Sequence, residues 1–159
     1  MRWVTLLAVC AMRLSAPAST QQFTPIGSFD NIRVSTSHDP HCYGWSLTLW
    51  QYGGRVVGLL DHHQGLCGDP MCRALTDISH DPKSGRLSFS AFEMRFTGRL
   101  TMNGVTGTLG AEPLHLKRNH DRMDAKWDGD INGWCEFWRT VPRCQGVADF
   151  CSSVGVPEQ

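Results

Sequence analysis

Apolar and polar side chains alternate with a period of two through most of this chain, and turn-forming residues interrupt the alternation at short intervals. Successive side chains on a strand face opposite ways, so this is the pattern of half-buried β-strands joined by hairpins. In Trp45-Ser46-Leu47-Thr48-Leu49 the apolar residues share one face, and Ser46 and Thr48 share the other. Gly53-Gly54 then offers the positive φ angles of a tight reversal into Val56-Val57-Gly58-Leu59-Leu60. Asn103-Gly104, set between alternating runs, predicts a type I′ hairpin, and Asp81-Pro82-Lys83-Ser84-Gly85 predicts a further turn. The apolar phase slips from Leu87, Phe89 and Ala91 to Phe92, Met94 and Phe96, so a bulge or a sheet corner is expected at Ala91-Phe92.

Nine strands are predicted, at residues 29–35, 45–51, 55–60, 73–79, 86–91, 95–102, 105–109, 114–117 and 135–140. Helical periodicity is nearly absent. Short strands in meander order suit one all-β domain: an antiparallel, up-and-down (calycin-like) β-barrel, with a β-sandwich as second choice. Trp45 is assigned to the core with Leu47 and Leu49. Trp50 shares the face of Ser46 and Thr48, so it is either covered by a loop or offers a platform to a ring ligand.

The N-terminus bears on where such a domain works. Arg2, the apolar run at residues 3–12 and the A-x-A site Ala16-Pro17-Ala18 have the layout of an export signal over residues 1–18. The run is far shorter than the roughly 20 residues that span a bilayer, so no membrane span is expected in the mature chain. The expected domain covers residues 19–154, with a loose tail at 155–159, in the periplasm or outside the cell. Of seven cysteines, Cys10 falls in the leader, which leaves Cys42, Cys67, Cys72, Cys135, Cys144 and Cys151. An even number in an exported chain reads as a disulfide framework. Short spacing favours Cys67–Cys72, around a turn containing Pro70, and Cys144–Cys151, which leaves Cys42–Cys135 by elimination.

Fifteen basic and fifteen acidic residues, with no cluster of either sign, provide no footprint for nucleic acid or an anionic membrane. The expected partner is a small molecule or an extracytoplasmic protein. Asp128-Gly129-Asp130-Ile131-Asn132-Gly133 matches the first half of a calcium loop. A structural calcium ion would use Asp128, Asp130 and Asn132, with Glu136 as helper, because Arg139 stands where the closing glutamate belongs. The flanks of this run read as strand or loop. His38, His41, His62 and His63 form a second candidate group, suited to a transition metal if folding gathers them. No G-x-S-x-G, H-E-x-x-H or phosphate-loop motif is present, and six paired cysteines leave no thiol nucleophile, which favours binding over catalysis. The resulting expectation is an exported binding module whose site is built from Trp50, His62, His63 and the loop 66–72. It would take a small apolar or sugar-like ligand or a protein. Its rivals are a small secreted metal-dependent hydrolase using the loop histidines and an inhibitor presenting the Cys67 to Cys72 loop.

Overall fold

A computed structural model of the chain describes residues 22–36, 39–67, 70–120 and 128–156. The export signal assigned to residues 1–18, His38 and residues 157–159 of the tail lie outside the described residues.

The strands are β1 (Phe23–Asp30), β2 (Arg33–Val34), β3 (His41–Tyr52), β4 (Arg55–Leu66), β5 (Met71–Ala74) and β6 (Thr76–Asp81). They continue with β7 (Arg86–Ala91), β8 (Met94–Leu100), β9 (Gly104–Leu109), β10 (Glu112–Arg118) and β11 (Cys144–Gln145), and two helices follow the meander, α1 (Ile131–Arg139) and α2 (Val147–Ser153). All strands belong to one sheet, ordered β11-β5-β4-β3-β1-β10-β9-β8-β7-β6, with β2 on β3. Two meanders, β3 to β5 and β6 to β10, are bridged by β1, which pairs antiparallel with both β3 and β10. The sheet curls into a half-barrel stapled by three disulfides, as the alternation and the cysteine count predict. It does not close: the path ends at β6 on one side, and β4 lies against β6 across a seam crossed by Leu75.

The curl is filled by side chains. Phe29, Leu47, Leu60, Phe89, Phe96 and Leu116 are all buried there, with Phe89 stacked on Phe96 at 4.7 Å. Each such side chain contributes about 1.5–3 kcal/mol by leaving water. The turns follow the glycines only in part. Gly53 and Gly54 take φ of 54° and 79° in the β3–β4 hairpin. Asn103-Gly104 does not form the type I′ turn expected of it: Leu100 pairs with Val105, and the loop is wider, closed by Thr101 N–H donating to the Gly104 carbonyl. Gly104 is required there for another reason, since a Cβ would collide with the Leu116 carbonyl oxygen. The phase slip is neither a bulge nor a sheet corner but a two-residue hairpin, in which Phe92 and Glu93 sit at φ of 52° and 60° between paired Ala91 and Met94 and the chain reverses.

The segment expected as a strand at 135–140 is helix α1 instead. Ile131, Trp134, Cys135 and Trp138 fall at i, i+3, i+4 and i+7, which puts four apolar side chains on one helical face. The Asp130 carboxylate caps the helix by accepting from Gly133 N–H at 2.8 Å. Trp134 and Trp138 therefore lie on the same side, with ring centroids 6.4 Å apart. This face packs with Val147 and Cys151 of α2 onto the outer face of β3 to β5, forming a second core around Phe23, Trp50 and Leu59. The tail expected from residue 155 is docked at its start: Val156 is buried in this core, and its carbonyl accepts from Arg139 at 2.7 Å.

The cysteines pair as Cys42–Cys67, Cys72–Cys144 and Cys135–Cys151, which corrects all three spacing-based pairings. Strand register overrides loop length. His41 opposite Leu66 brings Cys42 and Cys67 to a Cα separation of 4.7 Å, and the parallel contact of β11 with β5 sets Cys72 beside Cys144 at 4.1 Å. The third bond joins the buried faces of α1 and α2. Cys72–Cys144 spans 72 positions and ties the helical cap to the sheet, an entropic restraint on the unfolded chain of roughly 4 kcal/mol.

Candidate ring-binding face at the open end of the sheet

The register of β3 against β4 decides which of the expected site residues can act together. Trp45 stands opposite His62, and Gly44 opposite His63. Neighbours on a strand face opposite ways, so His62 faces the concave side and His63 faces the helical cap. Trp50, expected as a platform, is 1 % exposed. It is stacked on Phe23 at 5.6 Å and meets Trp134 edge-on at 5.4 Å. The polar face of β3 is the one that α1 and α2 cover, so Trp50 becomes core. Trp45, assigned to the core, packs against it with Leu47 and Leu49 but stays partly exposed at the rim. Trp50, His62 and His63 thus do not form one site.

The structure brings a different group together around His62. The imidazole lies flat on the Trp45 indole, centroids 4.0 Å apart and planes within 13°. Phe92 approaches both rings edge-on, at 5.6 Å from Trp45 and 6.4 Å from His62. The Arg73 guanidinium lies over the Phe92 ring at 4.8 Å and donates from Nη1 to the Cys72 carbonyl at 2.9 Å. Arg73 and Met71 are placed on this face by their pairing with Leu60 and His62. Beyond Trp45 the same face continues to Tyr43, which is exposed and stacked with His41. Burial pushes the His62 pKa down from its ordinary value, because the charged ring would lose water, and this favours the neutral imidazole in the stack.

Phe92 carries the one local oddity of the group. Asn-Gly is the usual solution for a two-residue turn with both φ angles positive, whereas here the positions hold a phenylalanine and a glutamate. Such strain persists only where the surroundings hold it, and it concentrates at functional sites. The sequence held a trace of this feature in the phase slip at Ala91-Phe92, but Arg73 carried no signal, because nothing local says which chain segment lies across the seam.

On the opposite face, Ser46, Asp61 and His63 form a buried polar chain. The Ser46 hydroxyl donates to Asp61 Oδ2 at 2.9 Å and lies 3.3 Å from His63 Nε2. With its proton committed to the carboxylate, the hydroxyl accepts from Nε2–H. The order differs from a nucleophilic triad, in which the imidazole stands between serine and carboxylate, and Ser46 is 0 % exposed. The chain links three buried polar side chains on the face of the sheet opposite the curl.

Asp128, Asp130 and Glu136 do not gather into one group, and neither do His41, His62 and His63; among the described residues no three His, Cys, Asp or Glu side chains are placed to hold a metal ion. Asp130 serves as the cap of α1, and Asn132 and Glu136 lie within that helix. No helix among the described residues is long and apolar enough to cross a membrane. In comparisons with protein-family models, curated proteins and solved structures, nothing matches this chain.

Proposed function

We propose that this protein is an exported binding module that seats a flat-faced ring, of a sugar or an apolar small molecule, on the concave rim formed by Trp45, His62 and Phe92. The observation that carries this reading is the parallel Trp45–His62 stack, half-buried at the end of a filled curl and flanked by Phe92 in a strained turn. Stacked rings held by strands give a ligand apolar area at little ordering cost. Three disulfides and the leader-like N-terminus support an oxidising compartment.

The test is a fluorescence and NMR titration with cellotetraose, chitotetraose and anilinonaphthalene sulfonate. At least one probe is expected to perturb the Trp45 indole, and Trp45→Ala to abolish its binding. No response of Trp45 to any of the three up to about 10 mM, the weak limit of useful recognition, would sink the reading.

A second reading is favoured by one observation. Leu66 and Met71, 62 % and 38 % exposed, flank the segment held between Cys67 and Cys72, each of which is bonded to a different strand. Exposed apolar side chains beside two strand-anchored cysteines suit a protein partner. Capture of a partner that is lost in a Leu66→Asp, Met71→Asp variant but not in Trp45→Ala would favour it.

A further inference from the structure

Where the sheet fails to close, a cavity of about 510 Å³ opens beside Phe92, between β5 and the β7–β8 turn. Arg73, Thr76, Phe92, Glu93 and Gln145 are among its lining residues. We propose that this cavity is a carboxylate-binding subsite anchored by Arg73, so that the ligand of the ring-binding face is a ring bearing a carboxylate. The inference rests on that face for the ring and on Arg73 for the charge.

Arg73 is half-buried and held in place from two sides, by its Nη1 bond to the Cys72 carbonyl and by the Phe92 ring beneath its plane. One nitrogen is committed to that carbonyl, and the rest of the guanidinium fork has further N–H donors. Among the described residues no carboxylate lies within ion-pair distance of Arg73; the ion pair present, Arg86 with Asp81, is elsewhere. Glu93 stands at the rim but is exposed and does not reach it. A guanidinium partly withdrawn from water, fixed over an aromatic ring and facing a cavity, is completed by an anion. Its planar fork matches a planar carboxylate by paired parallel hydrogen bonds. The next surface along is the edge-on Phe92 and the Trp45–His62 stack, so the group attached to the carboxylate is a ring with a flat apolar face. Both hexuronate units and aromatic acids have this chemistry. The cavity lies within the usual size of small-ligand sites.

Four probes test the subsite at low ionic strength: tetragalacturonate and its methyl ester, and indole-3-acetate and indole-3-acetamide. One of the two acids is expected to bind, which assigns the source as sugar or aromatic acid. Tetragalacturonate, if bound, should bind about tenfold more tightly than its ester; indole-3-acetate, if bound, should exceed indole-3-acetamide by the same factor. Arg73→Gln is expected to erase that preference while leaving the weaker binding of the neutral probe. Because Arg73 also supports the Cys72 carbonyl, Arg73→Lys runs beside it, keeping charge without the fork; it is expected to cut the preference to about two- to threefold. Equal binding of acid and neutral probe by the unaltered protein, or a full preference surviving either substitution, overturns the subsite while the ring face stands. If no probe of this set perturbs Trp45 the subsite falls, and the ring face falls with it only if cellotetraose, chitotetraose and anilinonaphthalene sulfonate fail as well.

Discussion

Trp45 and His62, cross-strand partners on β3 and β4, stack with ring centroids 4.0 Å apart and planes within 13°. The pair sits where the filled interior of the curled sheet gives way to solvent, and this position gives His62 a titration distinct from a surface histidine.

Burial lowers the His62 pKa below its ordinary 6.5, so the unfolded chain takes up this proton more readily than the folded one. The contribution of neutral His62 is complete above about pH 6.5 and is lost as pH falls from there toward the lower folded-state value, after which it stays constant. Urea unfolding midpoints between about pH 8 and pH 4 should therefore decline on the acid side more steeply for the unaltered protein than for His62→Gln. Parallel curves would show that the ring is not desolvated.

The two tryptophans of β3 should separate stability from binding. Trp50→Ala, at a site 1 % exposed between Phe23 and Trp134, is expected to cost about 3–5 kcal/mol in chemical denaturation. Trp45→Ala, at the half-buried rim, is expected to cost only about 1–2 kcal/mol while removing ligand binding. The reverse order of costs would contradict the placement of the helical cap.

At the β7–β8 turn, Glu93 has φ of 60°, which glycine adopts without penalty. Glu93→Gly should raise stability by about 0.5–1 kcal/mol after the extra unfolded-state entropy of glycine is deducted. Binding of a neutral ring should be unchanged, since Glu93 forms no part of the ring stack, whereas an acid should bind no less tightly, since Glu93 lines the cavity beside Arg73 and its negative charge is removed. A destabilised variant would mean that the turn is not strained.

Asp130 caps α1 through Gly133 N–H, so Asp130→Ala should lose about 1 kcal/mol. A cap acts without metal, and the loss is expected to be equal in chelator and in calcium. A loss confined to calcium-containing buffer would restore the calcium-loop reading of Asp128, Asp130 and Asn132.

Peptide mapping of the unreduced protein checks the framework directly. It should recover Cys42–Cys67, Cys72–Cys144 and Cys135–Cys151, and joint replacement of Cys72 and Cys144 by alanine should cost about 2–5 kcal/mol. A bond between Cys67 and Cys72 would contradict the register of β4 against β5.

The half-barrel was legible in the chain because alternation and turn chemistry are local. Leu47 against Ser46, the glycines of the β3–β4 hairpin and the slip at Ala91-Phe92 each declare themselves within a few residues. Helix α1 was missed: the spacing of Ile131, Trp134, Cys135 and Trp138 behind the Asp130 cap is helical, but aromatic residues of high strand propensity made the segment read as a strand. Alternation alone determined that β3 has two faces with a tryptophan on each. Which tryptophan is covered depended on the remote segment that folds back, and the Cys72–Cys144 bond carries that segment onto the Trp50 side. The cysteine pairs and the meeting of Arg73 with Phe92 were likewise decided in three dimensions, because proximity there follows strand register and sheet curl rather than separation along the chain.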